Sequence, residues 1–142
     1  MVVSGSDSDS DADFFLAFAE VHSEVNQAGF GLADAHVAVS SCFTDEECTA
    51  AGDSLSRENL TYIPVLVTQI TELENMEVPE EWLGVHAAYL EQLRLGVESG
   101  EQFIEGWATF DDELIERSFE TFRESQAKLA DVLDELEALE AR

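Results

Sequence analysis

The chain has 142 residues, 45% of them hydrophobic and 27% charged. That is the length of one domain with enough apolar material to bury a core, which excludes wholesale disorder. Its 32 acidic residues face six basic ones, a formal net charge of -26, so the clustered Lys and Arg that bind nucleic acid or anionic membranes are missing.

No run of 18 apolar residues offers a membrane span, and the opening MVVSGSDSDSDAD carries no apolar core of a signal peptide. The charge itself describes a solvent. Self-repulsion acts over about 8 Å at physiological ionic strength and about 3 Å in molar salt. Such a coat with a single lysine, Lys128, resembles in composition the proteins of salt-loving archaea. A solvated carboxylate coat is the plain reading. The sharper one is an acidic face that mimics DNA or captures a basic partner.

Residues 1–13 are mostly Ser, Asp and Gly and bury too little to offset the entropy of ordering them. They read as a disordered acidic tail or tether ahead of one helical domain over 14–142. From Phe14, apolar or small residues recur at Phe18, Val21, Val25, Ala28, Leu32, Ala35 and Val39, the three-and-four spacing of one helical face. Thr44 and Glu47 form a capping box, which starts a short helix at Asp45. Gly52, Asp53 and Ser54 read as a stop followed by a new cap, so a break falls there. A second long helix follows with a stripe of Leu60, Ile63, Val67, Ile70 and Leu73, kinked by Pro64. Pro79 with Glu80 and Glu81 starts the third, whose stripe is Leu83, His86, Leu90, Leu93, Val97, Gly100, Ile104 and Trp107. After Thr109, which reads as its cap, the last carries Ile115, Phe119, Phe122, Gln126, Leu129, Leu133 and Leu136. Short connections and sustained seams predict an all-α fold, an antiparallel up-down-up-down four-helix bundle with a short extra helix after the first connection.

Cys42 and Cys48 flank the Thr44 cap, where a loop folding back on a first helical turn brings two Cα atoms within disulfide range. Their spacing suits neither Cys-x-x-Cys redox chemistry nor tetrahedral zinc. A bridge implies an oxidising, extracytoplasmic location at the cell surface or in the medium, with the acidic tail acting as spacer after removal of a leader or lipid-attachment segment; the cytoplasm of a high-salt organism is the alternative. Asp9, Asp11, Asp13 and Glu20 match an EF-hand register, but Phe14 stands where the loop requires glycine. None of His22, His36 and His86 belongs to a two-ligand helical motif. In a bundle whose first and third helices run parallel, His22 and His86 lie towards one end and are the candidate metal ligands. Trp82, Tyr89, Phe103 and Trp107 form a row of rings that is the candidate ligand pocket or, more plainly, core. No nucleophilic triad or phosphate loop is present, so the sequence points to a non-enzymatic binding or structural module, acting on a protein partner or on itself, without a cofactor. A small-ligand or metal-binding bundle built on His22 and His86 is the alternative.

Overall fold

A computed structural model describes residues 8–140. Four long helices make up the fold: α1 (Ser8–Ser41), α2 (Asp45–Glu74), α3 (Leu83–Thr109) and α4 (Asp112–Glu140), with one 3-10 turn at Glu80–Trp82. There is no strand among the described residues. Each helix packs along its sequence neighbour, α1 on α2, α2 on α3 and α3 on α4, whereas α1 and α4 have no comparable backbone approach. The result is a bundle in which α1 and α4 meet through side chains and not through closely approaching backbones.

Local chemistry sets most helix ends. Thr44 Oγ1 accepts from the Glu47 N–H at 3.1 Å, and Glu47 Oε2 reaches one residue past the cap to accept from the Phe43 N–H at 3.1 Å, a capping box with its return bond shifted by one residue. Pro79 opens the 3-10 turn, its carbonyl accepting from the Trp82 N–H at 2.9 Å. Asp111, not Thr109, caps α4, its Oδ1 accepting from the Leu114 N–H at 3.1 Å. Thr109 instead turns its hydroxyl back to the Glu105 carbonyl. Between these helices Phe110 sits in the left-handed region at φ 55, its N–H closing on the Gly106 carbonyl.

Three expectations are corrected. Residues 1–7 of the expected tail lie outside the described residues, but Ser8 to Asp13 are helical. A helix already nucleated at Phe14 extends at one hydrogen bond per added residue, without a second nucleation cost. The separate short helix does not form, and α2 runs unbroken through Gly52 and Pro64. Gly52 is not a stop: its missing Cβ leaves the space that the Trp107 ring fills. Asp53 is not a cap: its Oδ1 accepts from Trp107 Nε1–H at 2.8 Å. One tryptophan therefore accounts for both residues that looked like a helix boundary. Finally, the faces of two helices are rotated. Leu60 and Val67 are exposed while Leu55, Asn59, Leu66 and Leu73 are buried. On α4 the buried positions are Ser118, Thr121, Ser125 and Val132, and Leu133 is exposed.

The interior is two apolar cores separated by a polar waist. One core gathers Phe14, Phe18, Leu73, Val85, Tyr89 and Val132. The other holds Leu32, Ala35, Leu55 and Phe103, with Trp107, Ile115 and Phe119 packed against it. Each fully buried large side chain contributes about 1.5–3 kcal/mol, so these clusters carry the stability. Between and beside them lie the buried polar residues Asn59, Gln92, Ser99, Ser118, Thr121 and Ser125. Most are satisfied locally or across the α3–α4 seam: Asn59 donates to the Leu55 carbonyl, Thr121 Oγ1 meets Gln102 Oε1 at 2.8 Å, and Ser125 donates to the Gln92 carbonyl at 3.0 Å.

Candidate functional site

The waist contains a cavity of about 390 Å³, within the range that holds small ligands. α1 contributes His22, Asn26 and Gly29 to its wall; α2 and α3 supply Tyr62, Tyr89 and Gln92. Ser125, Gln126 and Leu129 of α4 face them from the far side. Small residues explain the space. Gly29 and Gly96 add no side chain, and Ser99 and Ser125 turn their hydroxyls onto backbone carbonyls. At one end His36 of α1 stacks on Phe122 of α4, centroids 3.9 Å apart and planes at 20°. That stack bridges the two helices that otherwise stand apart.

The polar groups of the cavity form an ordered set. His22 Nδ1 lies 3.0 Å from the Tyr89 hydroxyl and its Nε2 lies 3.2 Å from Asn26 Nδ2. With the Asn26 amide oriented so, Nε2 must accept, which places the imidazole proton on Nδ1 and makes the Tyr89 oxygen the acceptor. The hydroxyl hydrogen of Tyr89 is then free to donate elsewhere. Burial lowers the His22 pKa, favouring this neutral ring, and burial raises both phenols, Tyr62 to about 12 and Tyr89 further still with Tyr62 adding to it. Both tyrosines are therefore neutral hydroxyls at any ordinary pH. Gln92 is 8% exposed and its Oε1 is buried without a hydrogen-bond partner among the described residues. Such an atom costs on the order of 1–3 kcal/mol, and it lies in a side chain that lines the cavity.

The structure separates the proposed metal ligands. His22 is held by Tyr89 and Asn26, whereas His86 Nε2 donates to the Leu73 carbonyl at 2.7 Å and its ring sits beside Phe14. Phe14 precedes His22 by two helical turns, about 12 Å, so the two imidazoles occupy different levels of the bundle. Among the described residues no group of three or more His, Cys, Asp or Glu is placed to hold a metal ion. The aromatic row also divides. Trp82 packs with Phe14, Phe15 and Phe18, while Phe103 and Trp107 stack at 5.9 Å in the other core. Only Tyr89 reaches the central cavity. A row along one helix crosses successive levels of a bundle, so its members meet different neighbours.

Cys42 and Cys48 are joined, with Cα atoms 5.2 Å apart. The bridge ties the end of α1 to the first turn of α2. It borders a second, more open recess shared with Trp107 and Ile115, and Phe43 beside it is 94% exposed. Tyr62, Gln92 and Ser125 were not singled out in the sequence. The available signal was the polar three-and-four spacing of Ser118, Thr121 and Ser125, together with the unbroken Gly52, Leu55, Asn59, Tyr62, Leu66, Gln69 and Leu73 series. Among the described residues no helix is long and apolar enough to cross a membrane. Comparison with protein-family models, with curated proteins and with solved structures finds no match.

Proposed function

We propose that this chain is a non-enzymatic binding protein that holds a small molecule in the waist of an up-down-up-down bundle. The observation that carries this reading is a cavity of about 390 Å³ in a strongly acidic chain, lined by apolar, aromatic and neutral polar side chains and, among the described residues, by no Asp, Glu, Lys or Arg, which is the kind of lining that holds small molecules. The topology rests on contact pairs whose numbers run in opposite directions: Gly29 with Tyr62 and Gly31 with Glu58, Gly52 with Trp107 and Gly100 with Asn59, Gly84 with Glu135 and Gly106 with Ile115. The acidic coat is read as adaptation to concentrated salt, and the Cys42–Cys48 bridge supports an extracytoplasmic setting.

The test is thermal unfolding of the native chain in molar potassium chloride against a panel of small solutes, with Gly29→Leu as control. A Cβ at Gly29 meets the Tyr62 ring at ordinary contact distances of 3.6 Å and more, so the larger side chain can enter the cavity. Solutes that raise the melting temperature of the native chain should leave that of Gly29→Leu unchanged. An equal response in both would place binding elsewhere.

A second reading, a protein-interaction module, is favoured by Phe43 and Phe110. They are 94% and 88% exposed and stand on the two connections that flank the recess lined by Cys42, Trp107 and Ile115. Sedimentation of the native chain and of a Phe43→Ser, Phe110→Ser double variant tests it, since self-association through that end would be lost in the variant.

A further inference from the structure

The outer face of α2 is built unlike the acidic coat around it. Residues 59–71 form the longest run without a charged side chain in a chain that is 27% charged. Asn59 and Leu66 of this run point into the bundle and are buried, whereas Leu60, Pro64, Val67 and Thr71 are exposed, Leu60 at 59% and Val67 at 49%. The apolar stripe is therefore on the outside, where the bundle itself does not cover it. The threonines leave it dry. Thr61, Thr68 and Thr71 donate their hydroxyls to the Arg57, Pro64 and Val67 carbonyls, so these groups keep their hydrogen bonds when water is removed.

Charge returns at the two ends of the stripe, with exposed Arg57 before it and exposed Glu74 after it. Arg57 makes no ion pair among the described residues, and Glu74 meets Arg94 through one oxygen, Oε2. Positions 57, 60, 64, 67, 71 and 74 follow a three-and-four spacing that is the same in either direction. A second copy laid antiparallel on this ridge sets Pro64 against Val67, Leu60 against Thr71 and Arg57 against Glu74, each pair twice. A basic partner would need carboxylates along the stripe, and 59–71 has none. Two bodies of charge -26 need the opposite, a place to touch where no carboxylates oppose one another.

We infer that α2 is the contact helix of a homodimer, its outer stripe packed antiparallel on the same stripe of a second copy about a two-fold axis between Pro64 and Val67. Such a contact is isologous, one patch meeting itself, and its three-and-four ridge is the seam of helices crossing at about 20°. It is a different surface from the end that carries Phe43 and Phe110.

Sedimentation equilibrium of the full-length chain in molar potassium chloride, from about 10 µM to about 1 mM, covers the weak association expected of an interface made by one helix face from each copy. The dimer should tighten at least about threefold between about 0.15 M and molar salt, as the screening length falls from about 8 Å to about 3 Å; weakening over that range would overturn an apolar contact. Val67→Glu puts a carboxylate from each copy into the dry centre and should weaken the dimer at least about tenfold. Leu60→Glu, at a position equally open to solvent, should do the same, with circular dichroism showing that both variants are folded. The Phe43→Ser, Phe110→Ser double variant should dimerise as the native chain does. Orientation is read by oxidising a mixture of Leu60→Cys and Thr71→Cys. The mixture should cross-link at least about tenfold faster than either variant alone, because the two copies of position 60 lie about 16 Å apart along the helices, beyond disulfide reach. A native chain that stays monomeric to about 1 mM, a dimer that survives both glutamates, one lost in the Phe43 and Phe110 variant, or equal cross-linking rates would each overturn the inference. None of these outcomes bears on the central cavity. If neither glutamate variant folds, the salt dependence of the native chain and the cross-linking rates decide the matter.

Discussion

Protonation of His36 should destabilise the fold. The ring stacks on Phe122 at 3.9 Å, with Phe119 edge-on at 6.0 Å, and burial pushes its pKa down to about 4 from 6.5. Because the folded value lies below the unfolded one, the unfolded chain binds the proton more readily. The stabilising contribution is complete above about pH 6.5 and is lost as pH falls from there towards about 4. The gap sets a ceiling of about 3 kcal/mol, at about 1.4 kcal/mol per pH unit, and solvent at the open edge of the ring reduces this to about 2 kcal/mol. The carboxylate coat also titrates in this window and would mask the effect in dilute buffer. Urea unfolding is therefore compared at pH of about 7 and about 4.5 in molar salt, where the Debye length is about 3 Å, for the native chain and for His36→Phe. Both share the carboxylates, and the variant keeps an aromatic ring on Phe122. The native chain should lose about 2 kcal/mol more than the variant between the two conditions. Parallel pH dependences, differing by less than about 0.3 kcal/mol, would refute a desolvated neutral His36 as the bridge between α1 and α4.

Two glycine substitutions should act in opposite directions. Gly52→Ala drives a methyl into the Trp107 ring and should cost about 1–3 kcal/mol, whereas Gly29→Ala finds ordinary contact with Tyr62 and should gain about 0.5–1 kcal/mol from helix propensity; chemical denaturation reads both. Phe110→Gly should stabilise by about 1 kcal/mol, because the residue is 88% exposed and holds a φ of 55 that glycine adopts without steric cost. A loss of stability there would mean that the Phe110 side chain makes contacts the fold depends on. Reduction of Cys42–Cys48, a bridge of sequence separation 6, should cost about 2 kcal/mol without lowering helix content by circular dichroism. Mass spectrometry after alkylation should find both thiols protected before reduction.

Local chemistry was largely legible in the sequence. The Thr44 cap, the turn opened by Pro79 and the disulfide depend on residues no more than six apart along the chain, and all three stand in the structure, with the long helix itself beginning at Leu83 after the 3-10 turn. The α1 face was also legible, since Phe14, Phe18, Val21, Val25, Leu32 and Ala35 are apolar and buried. The faces of α2 and α4 were not, because their inward positions include Asn59, Ser118, Thr121 and Ser125. Hydrophobic periodicity follows side chains that avoid water, and small hydroxyls bonded to helix carbonyls can be buried without leaving that trace.

Sequence by itself determined that four long amphipathic segments must become helices, where two of them begin and that a bridge joins the first pair, because each of these follows from neighbours along the chain. Tertiary structure alone decided which side of α2 and α4 faces inward, that Gly52 serves Trp107, that His22 and His86 lie on different levels, and that a cavity remains between α1 and α4. These depend on which surfaces meet across the bundle. α3 and α4 approach closely through small polar residues while α1 and α4 meet through side chains, and spacing along one helix carries no record of how its neighbours meet.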